Sequence, residues 1–230
     1  MRLTPTDFDA ANFSRTPTAS SNRRPLESTP SRHSNPFATC WTRPGAIPFQ
    51  FFDGASAERL IQSLARQSWR GQILGPHGSG KSTLLATLIP HLKAAGPHVV
   101  PITLRNGQRR LPRGATNEDL RDDRRKLLII DGYEQLGWLE RLRVQLPSRR
   151  TGDGLLVTSH RCAGLPTLVE LSPGLAHVCV LASVLCGHRP RQISYGDLAA
   201  SYARCGSNVR EIFFELYDRH EAIRRRGTMS

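Results

Sequence analysis

Several features that are common in other protein classes are missing from this sequence of 230 residues. It has no run of 18 or more apolar residues, the length that would suggest a membrane-spanning helix. Its first residues include Asp7 and Asp9 and no contiguous apolar segment, which argues against a secretion signal. We therefore expect no membrane span and no export signal.

Paired cysteines are absent as well. The cysteines are odd in number and no two of them form a CxxC pair; they are Cys40, Cys162, Cys179, Cys186 and Cys205. This pattern argues against a disulfide framework and against a zinc site of the usual spacing. It is typical of structural thiols in a reducing compartment, so we expect a cytoplasmic protein.

Lysine is scarce, since only three of the 32 basic residues are lysines and the other 29 are arginines. The formal net charge is +13 at pH 7, which permits contact with the phosphates of a nucleic acid. Several arginines are interleaved with acidic residues, however, and the sequence has no zinc-finger or RNP signature. The charge therefore leaves nucleic-acid binding open without indicating it specifically.

The first 40 residues differ in composition from the rest of the chain. They include 17 Ser, Thr or Pro residues and have little periodic apolar content. Such a segment buries too little apolar surface to offset the loss of chain entropy on folding. We expect residues 1–40 to form a disordered tail, which is either a tether or a variable segment with no specific role.

Apolar runs alternate with helical patterns in most of the remaining chain. Five runs are typical of buried strands, and they cover residues 71–74, 98–104, 126–131, 154–160 and 166–171. A helix is predicted over about 134–146, stopped by Pro147, with inward-facing Leu136, Leu139, Leu142 and Leu146. Strands that alternate with helices predict an α/β fold, with about five mainly parallel strands and helices on both faces.

The strongest motif is GPHGSGKST, which joins the first predicted strand to a helix and fits the pattern G-x-x-x-x-G-K-[ST]. It consists of Gly75, Pro76, His77, Gly78, Ser79, Gly80, Lys81, Ser82 and Thr83. The glycines let successive backbone N–H groups face one anion, and the following helix adds its positive N-terminus. Lys81 is expected to reach the β- and γ-phosphates and Ser82 to coordinate magnesium, whereas His77 is expected to point away.

These residues resemble the phosphate-binding loop of the P-loop NTPase superfamily, and the resemblance covers residues 70–172. Asp131 ends the strand LLIID and is similar to the Walker B aspartate, which holds magnesium. The alternative is a strand-end aspartate that caps the next helix. The strand over 98–104 lies between the two motifs in sequence, as in the additional-strand branch of these ATPases. The resemblance implies a three-layer sandwich that binds ATP and Mg²⁺.

The residue after Asp131 departs from this branch. The catalytic glutamate commonly follows the aspartate directly, whereas this sequence has Gly132 there. Glu134 falls on the first turn of the next predicted helix, where the helix dipole stabilises its charge. It either orients the attacking water or is an ordinary first-turn residue. Because of this departure, we expect slow hydrolysis, whereas nucleotide binding should be less affected.

Two further segments resemble sensor elements of AAA-type ATPases. The strand over 154–160 ends in Thr158, Ser159 and His160, at the position where a polar side chain senses the γ-phosphate. The sequence GSNVRE is similar to the lid segment whose arginine contacts the nucleotide. Arg210 of this segment lies in the first turn of a helix, where a cation opposes the dipole. It is either this second sensor or an exposed arginine without a role.

The predicted domain organisation has three parts. They are a tail over 1–40, a P-loop nucleotide-binding domain over 41–188 and a small helical lid with a basic tail over 189–230. The predicted catalytic groups are Lys81, Glu134 and Arg210. The predicted function is binding and slow hydrolysis of Mg-ATP, with a conformational change that is passed to an unidentified protein partner.

Two alternatives remain open. One is a small-molecule or nucleoside kinase, in which the arginines of residues 105–125 would clamp the phosphates over an acceptor. The other is a nucleic-acid-associated ATPase, in which the arginines at 224–226 would contact phosphates. The absence of the N-K-x-D and L-S-G-G-Q signatures argues against a Ras-like GTPase and against an ABC transporter subunit.

Overall fold

The computed structural model of the chain describes residues 35–52, 54–105, 107–112, 125–187 and 193–227. These residues belong to two units, Ile47–Ser172 and a second unit made of residues 35–46 and 173–227. Most of the predicted tail over 1–40 lies outside the described residues, and the predicted domain roles stay predictions.

The described strands form one parallel sheet in the first unit. They are β1 (Arg70–Leu74), β2 (His98–Thr103), β3 (Lys126–Asp131), β4 (Gly154–Ser159) and β5 (Thr167–Glu170). Their order across the sheet is β2-β3-β4-β1-β5, and every pair is parallel. This arrangement confirms the predicted α/β class with five parallel strands. It also brings the carboxyl ends of β1, β3 and β4 to one edge.

Helices cover both faces of this sheet. The α-helices of the described residues are α1 (Thr39–Thr42), α2 (Ala57–Arg66), α3 (Lys81–Ala94), α4 (Trp138–Thr151), α5 (Leu175–Cys186), α6 (Tyr195–Cys205) and α7 (Val209–Gly227). Along β3, Leu127 and Ile129 pack in the core with α2 and α3, whereas Leu128 and Ile130 pack in the opposite core. That core also contains Val144 of α4. The alternation follows from the period of two of a strand and produces three layers.

The sheet order changes the interpretation of the strand at 98–104. This strand precedes Asp131 in sequence, but in the sheet β2 lies at the edge, beside β3. The strand that lies between β1 and β3 is β4. The additional strand between the two motifs is therefore the one that carries Thr158, Ser159 and His160.

The helix predicted over 134–146 is wrong in its bounds and in its inward face. The chain forms a short 3₁₀ helix at Tyr133–Gln135, and α4 begins at Trp138 and continues past Pro147. The buried face of α4 contains Val144, whereas three of the four predicted leucines are 46–55% exposed. The three are Leu139, Leu142 and Leu146. Leu136 alone of the predicted set is buried.

The second unit is helical. Its core joins α5, α6 and α7, with Phe37 packed 5.8 Å from Phe213 between ring centroids. A capping box at Ser194 and Asp197 begins α6, because each residue's side chain accepts a hydrogen bond from the other's backbone N–H. Neither α7, with 19 residues, nor any other helix in the described part of the chain is long and apolar enough to cross a membrane.

Gly154, the first residue of β4, packs too closely for any side chain. A Cβ atom here would lie 2.6 Å from Leu127 Cδ1 and 2.9 Å from the carbonyl oxygen of Trp69. We predict that Gly154→Ala lowers the free energy of unfolding by about 1–3 kcal/mol, because a packed core resists an added methyl group. Urea unfolding measures this change.

Gly196→Ala, in the first turn of α6, is the control for this substitution, since the nearest atom to a Cβ there is Ser194 Oγ at 3.6 Å. We expect its free energy of unfolding to stay within about 0.5 kcal/mol of the wild type. Equal urea midpoints for Gly154→Ala and the wild type would contradict the packing described here.

An ion pair joins α6 to α7 in the second unit. Arg204 donates from Nη2 to Glu215 Oε2 at 2.6 Å and from Nε to Oε1 at 3.2 Å. The hydrogen bonds from Arg204, and then that from Ser201, lower the pKa of Glu215 from 4.5 to about 2. Because the folded-state pKa is depressed, the pair stabilises the fold above about pH 4.5 and this contribution is lost as the pH falls towards 2.

We predict that Glu215→Gln lowers the melting temperature at pH 7 and that the difference from the wild type shrinks as the pH falls from 4.5 towards 2. Added salt should also reduce the difference at pH 7, because both side chains are partly exposed. Thermal unfolding over a pH series measures it. A difference that does not change over this pH range would show that Arg204 and Glu215 do not pair in solution.

Candidate functional site

The glycine-rich loop joins β1 to α3, as predicted. Gly75 cannot carry a side chain here, because a Cβ atom would lie 2.6 Å from the carbonyl oxygen of Leu171 and 2.7 Å from Ser79 Oγ. Gly80 is the N-cap of α3 and has a left-handed backbone with φ of +93°. Glycine adopts that conformation without steric cost. The glycines of the motif therefore allow the backbone conformation that the loop adopts.

Lys81 is the first residue of α3 and is only 8% exposed. Its Nζ lies 2.7 Å from the Gly75 carbonyl oxygen, 2.6 Å from the Pro76 carbonyl oxygen and 3.1 Å from His160 Nδ1. A buried ammonium requires such acceptors, because its desolvation otherwise costs several kcal/mol. The lysine is thus held inside its own loop.

Asp131 and Thr158 end the neighbouring strands β3 and β4. The Thr158 hydroxyl donates to Asp131 Oδ1 at 2.6 Å and accepts from the Gly132 N–H at 2.9 Å. Thr158 is buried, so both bonds are shielded from bulk water. They fix the orientation of the Asp131 carboxylate. The predicted alternative was a carboxylate that caps the next helix. Neither the 3₁₀ helix at Tyr133–Gln135 nor α4 has a side-chain hydrogen bond at its N-cap, and Asp131 Oδ1 accepts from Thr158 instead.

Gly132 occupies the position where the resemblance led us to look for a glutamate. Its backbone is left-handed, with φ of +85°, and a Cβ atom would lie 3.1 Å from the carbonyl oxygen of Leu104. A glutamate at this position would therefore be strained. The chain then turns through the 3₁₀ helix, which places Glu134 in this turn and not in the first turn of α4.

Glu134 contacts His160, with Oε1 3.0 Å from Nε2. The other oxygen, Oε2, is buried and has no hydrogen-bond partner among the described residues. Arg141 of α4 holds the turn itself, because it donates to the carbonyl oxygens of Glu134 and Leu136 at 2.9 Å each. Its guanidinium also lies 5.5 Å from the centre of the Tyr133 ring. The role of Arg141 was not predicted.

His160 lies at the centre of these contacts. Strand register pairs Leu74 of β1 with Ser159 of β4, so the residues that follow each of them are neighbours. His160 Nδ1 is 3.0 Å from the Gly75 carbonyl oxygen, and its ring lies on the ring of His77 with 3.6 Å between centroids. The expectation that His77 points away from the site is wrong. The His77–His160 contact depends on strand order, which the motifs alone do not give.

The residues present fit a magnesium ion. Ser82 and Asp131 offer hydroxyl and carboxylate oxygens, the ligand type that Mg²⁺ prefers. The described residues contain no cluster of three or more His, Cys, Asp or Glu side chains that could hold a metal by themselves. A magnesium ion here would therefore complete its ligands with phosphate and water oxygens, as Mg²⁺ commonly does. Ser79 Oγ, buried without a partner among the described residues, adds an unsatisfied polar atom to the loop.

The remaining predicted groups are Ser159 and Arg210. Ser159 is buried, and its hydroxyl accepts from the Arg161 N–H at 3.2 Å. Arg210 is exposed in the first turn of α7 in the second unit. Its sensor role stays a prediction.

The sequence matches no protein-family model and no curated protein. Solved structures that it resembles include NtrX from Brucella abortus in complex with ATP, at 16% identity and a TM-score of 0.43. That match covers 73% of this chain and 51% of the NtrX chain, so this chain spans about half of its length. Another is NMB1076 from Neisseria meningitidis, at 20% identity and a TM-score of 0.28, covering 62% of this chain and 84% of that one. Both likenesses are too weak to assign a fold or a function.

The bond between Thr158 and Asp131 can be tested by removing the hydroxyl. We predict that Thr158→Val lowers the free energy of unfolding by about 1–3 kcal/mol, because it leaves the Gly132 N–H and Asp131 without their partner. Urea unfolding measures the change. Thr103→Val, at an exposed threonine that ends β2, is the matched control and should stay within about 0.5 kcal/mol. Wild-type stability of Thr158→Val would contradict the buried bond.

Proposed function

We propose that this protein binds Mg-ATP at the glycine-rich loop, hydrolyses it slowly and passes a conformational change to a protein partner. The observation that carries the proposal is the meeting of three groups at one edge of the sheet: Lys81 after β1, Asp131 at the end of β3 and Glu134 in the turn that follows. The position of β4 between β1 and β3 supports membership of the additional-strand branch. The strand order and these three groups are consistent with the phosphate-binding role that the glycine-rich motif predicts.

Phosphate binding would depend on the loop and the start of α3. The backbone N–H groups of the loop and the positive end of the helix favour a polyanion, and Lys81 adds a full charge. Ser82 and Asp131 would hold Mg²⁺, which neutralises charge on the phosphates. Thr158 keeps the Asp131 carboxylate in one orientation through the 2.6 Å hydrogen bond.

Glu134 would act on the attacking water. Its Oε1 is already bonded to His160, whereas Oε2 has no partner among the described residues. Oε2 is therefore the oxygen that would accept the proton as water attacks the terminal phosphorus. With Oε1 held by His160, only one oxygen of the carboxylate would be available to the water, which is in accord with slow hydrolysis.

ATP binding should depend on Lys81. We predict that Lys81→Ala raises the dissociation constant for Mg-ATP about 100-fold, because contacts between charged groups contribute roughly 1.5–3 kcal/mol each. Isothermal titration calorimetry measures this. Lys93→Ala is the matched control, since Lys93 is exposed in the last turn of the same helix. Equal affinity in Lys81→Ala and the wild type would refute binding at this loop.

Hydrolysis should depend on Glu134. We predict that Glu134→Gln slows phosphate release about 100-fold while the affinity for Mg-ATP stays within a few fold of the wild type, because general-base catalysis contributes at least this much. Phosphate release from Mg-ATP measures it under single-turnover conditions. Unchanged release in Glu134→Gln would show that the residue is structural.

The same assay separates the two alternatives. A kinase would release little phosphate and would transfer it to an added nucleoside or other acceptor; most of its predicted clamp, residues 113–124, lies outside the described residues. A nucleic-acid-associated ATPase would be stimulated by DNA or RNA, with binding that falls steeply with salt.

A further inference from the structure

We infer that His160 is a positioning residue that links Lys81 to Glu134 and releases Glu134 when Lys81 turns to a phosphate group. The inference rests on the proposed function, since the phosphate belongs to the bound nucleotide. His160, at the end of β4, would then have a regulatory contact within the site in addition to the sensing role that the sequence indicates.

The two ring nitrogens of His160 are bonded in opposite directions. Nδ1 lies 3.1 Å from Lys81 Nζ, which can only donate, and 3.0 Å from the Gly75 carbonyl oxygen, which can only accept. Because that carbonyl oxygen already accepts from Lys81 at 2.7 Å, we assign Nδ1 as the acceptor of the Lys81 proton. Nε2 lies 3.0 Å from Glu134 Oε1, and a carboxylate can only accept, so Nε2 carries the proton in this assignment. A neutral imidazole with its proton on Nε2 then satisfies the contacts to Lys81 and Glu134 and leaves the Gly75 contact without a proton. A continuous chain of hydrogen bonds therefore runs from the lysine to the glutamate.

Lys81 cannot add a phosphate contact without giving up a present one. Its ammonium has three N–H donors, and three acceptors lie within 3.1 Å of Nζ. Two of these acceptors are carbonyl oxygens of the loop, at Gly75 and Pro76, whose positions are fixed by the backbone. The third is a side chain that can rotate. Lys81 should therefore give up its contact with His160 when it binds a phosphate.

Loss of the Lys81 contact would weaken the hold on Glu134. The imidazole is fixed on one edge by Lys81, on its face by His77 at 3.6 Å and on the other edge by Glu134. Once Nδ1 has lost its donor, the ring is free to turn away from Oε1. Glu134 would then have both oxygens available for the water, and only when a phosphate occupies the lysine. Glutamate activity would in this way follow nucleotide binding.

The chain itself can be observed without any nucleotide. In histidine labelled with ¹⁵N, two-bond ¹H–¹⁵N correlation spectra identify which ring nitrogen carries the proton. We expect His160 of the wild type in the Nε2–H form, and we assign its signals by their loss in His160→Ala or His160→Gln. A proton on Nδ1, donated to the Gly75 carbonyl oxygen 3.0 Å away, would overturn the inference.

Release is tested by adding Mg²⁺ and a non-hydrolysable ATP analogue to the labelled wild type. The Nδ1 resonance should move downfield, because the nitrogen loses its hydrogen-bond donor. An unchanged resonance at saturation would overturn release. If calorimetry shows that the wild type does not bind Mg-ATP, the proposed function fails and release fails with it, whereas the spectrum without nucleotide still decides whether the chain exists.

Affinities give a second measure. His160→Ala should bind Mg-ATP about fivefold more tightly than the wild type, because Lys81 no longer gives up a hydrogen bond on binding. His160→Gln offers an acceptor and a donor again and should return towards wild-type affinity. His91→Ala, at an exposed histidine of α3, should leave the affinity unchanged. A His160→Ala protein that folds and binds Mg-ATP no more tightly than the wild type would contradict the exchange.

Discussion

The site depends on β4 lying between β1 and β3. Because all three strands are parallel and in register, Ser159 pairs with Leu74 on one side while Val157 pairs with Ile130 on the other. The residues just beyond these pairs therefore meet the glycine-rich loop and Asp131 at the same edge. Thr158 bonds to Asp131, and His160 bonds to Lys81 and Glu134. The end of β4 thus connects the glycine-rich loop to the end of β3. It does so through Thr158 and His160, which are two residues apart.

The burial of Lys81 determines which contacts its ammonium group requires. An ammonium removed from water requires compensation, which here comes from two carbonyl oxygens and one imidazole nitrogen. These acceptors hold the side chain within the loop, so the entropy of fixing it is lost on folding and not on binding. The same acceptors compete with a phosphate for the three N–H donors. The three short contacts of Nζ therefore hold the lysine in place before a ligand binds, and the same contacts compete with that ligand for the N–H donors.

The sequence was sufficient for features that depend on neighbouring residues. Apolar runs located all five strands, and the glycine spacing located the loop, since both are local patterns. Contacts between distant segments were not predictable in this way: His160 and Lys81 are 79 residues apart, and their contact follows from strand order. The start of α4 was missed, because the left-handed Gly132 and the 3₁₀ turn delay it to Trp138. Its buried face was missed as well, because a leucine pattern shows that residues share a face and not whether that face turns to the core or to solvent.

Gly132 also explains why the glutamate is displaced. The chain must turn sharply under Leu104 as it leaves β3, and the left-handed backbone at this position excludes a strain-free side chain. A carboxylate that is to act at this edge must therefore come from later in the turn, and Glu134 is held there by Arg141 on its carbonyl oxygen and by His160 on Oε1. In the proposed function Oε2 meets the water while Oε1 stays bonded to His160, so only one oxygen of this base is available until the ring turns away. Slow hydrolysis would then follow from the backbone conformation of one glycine.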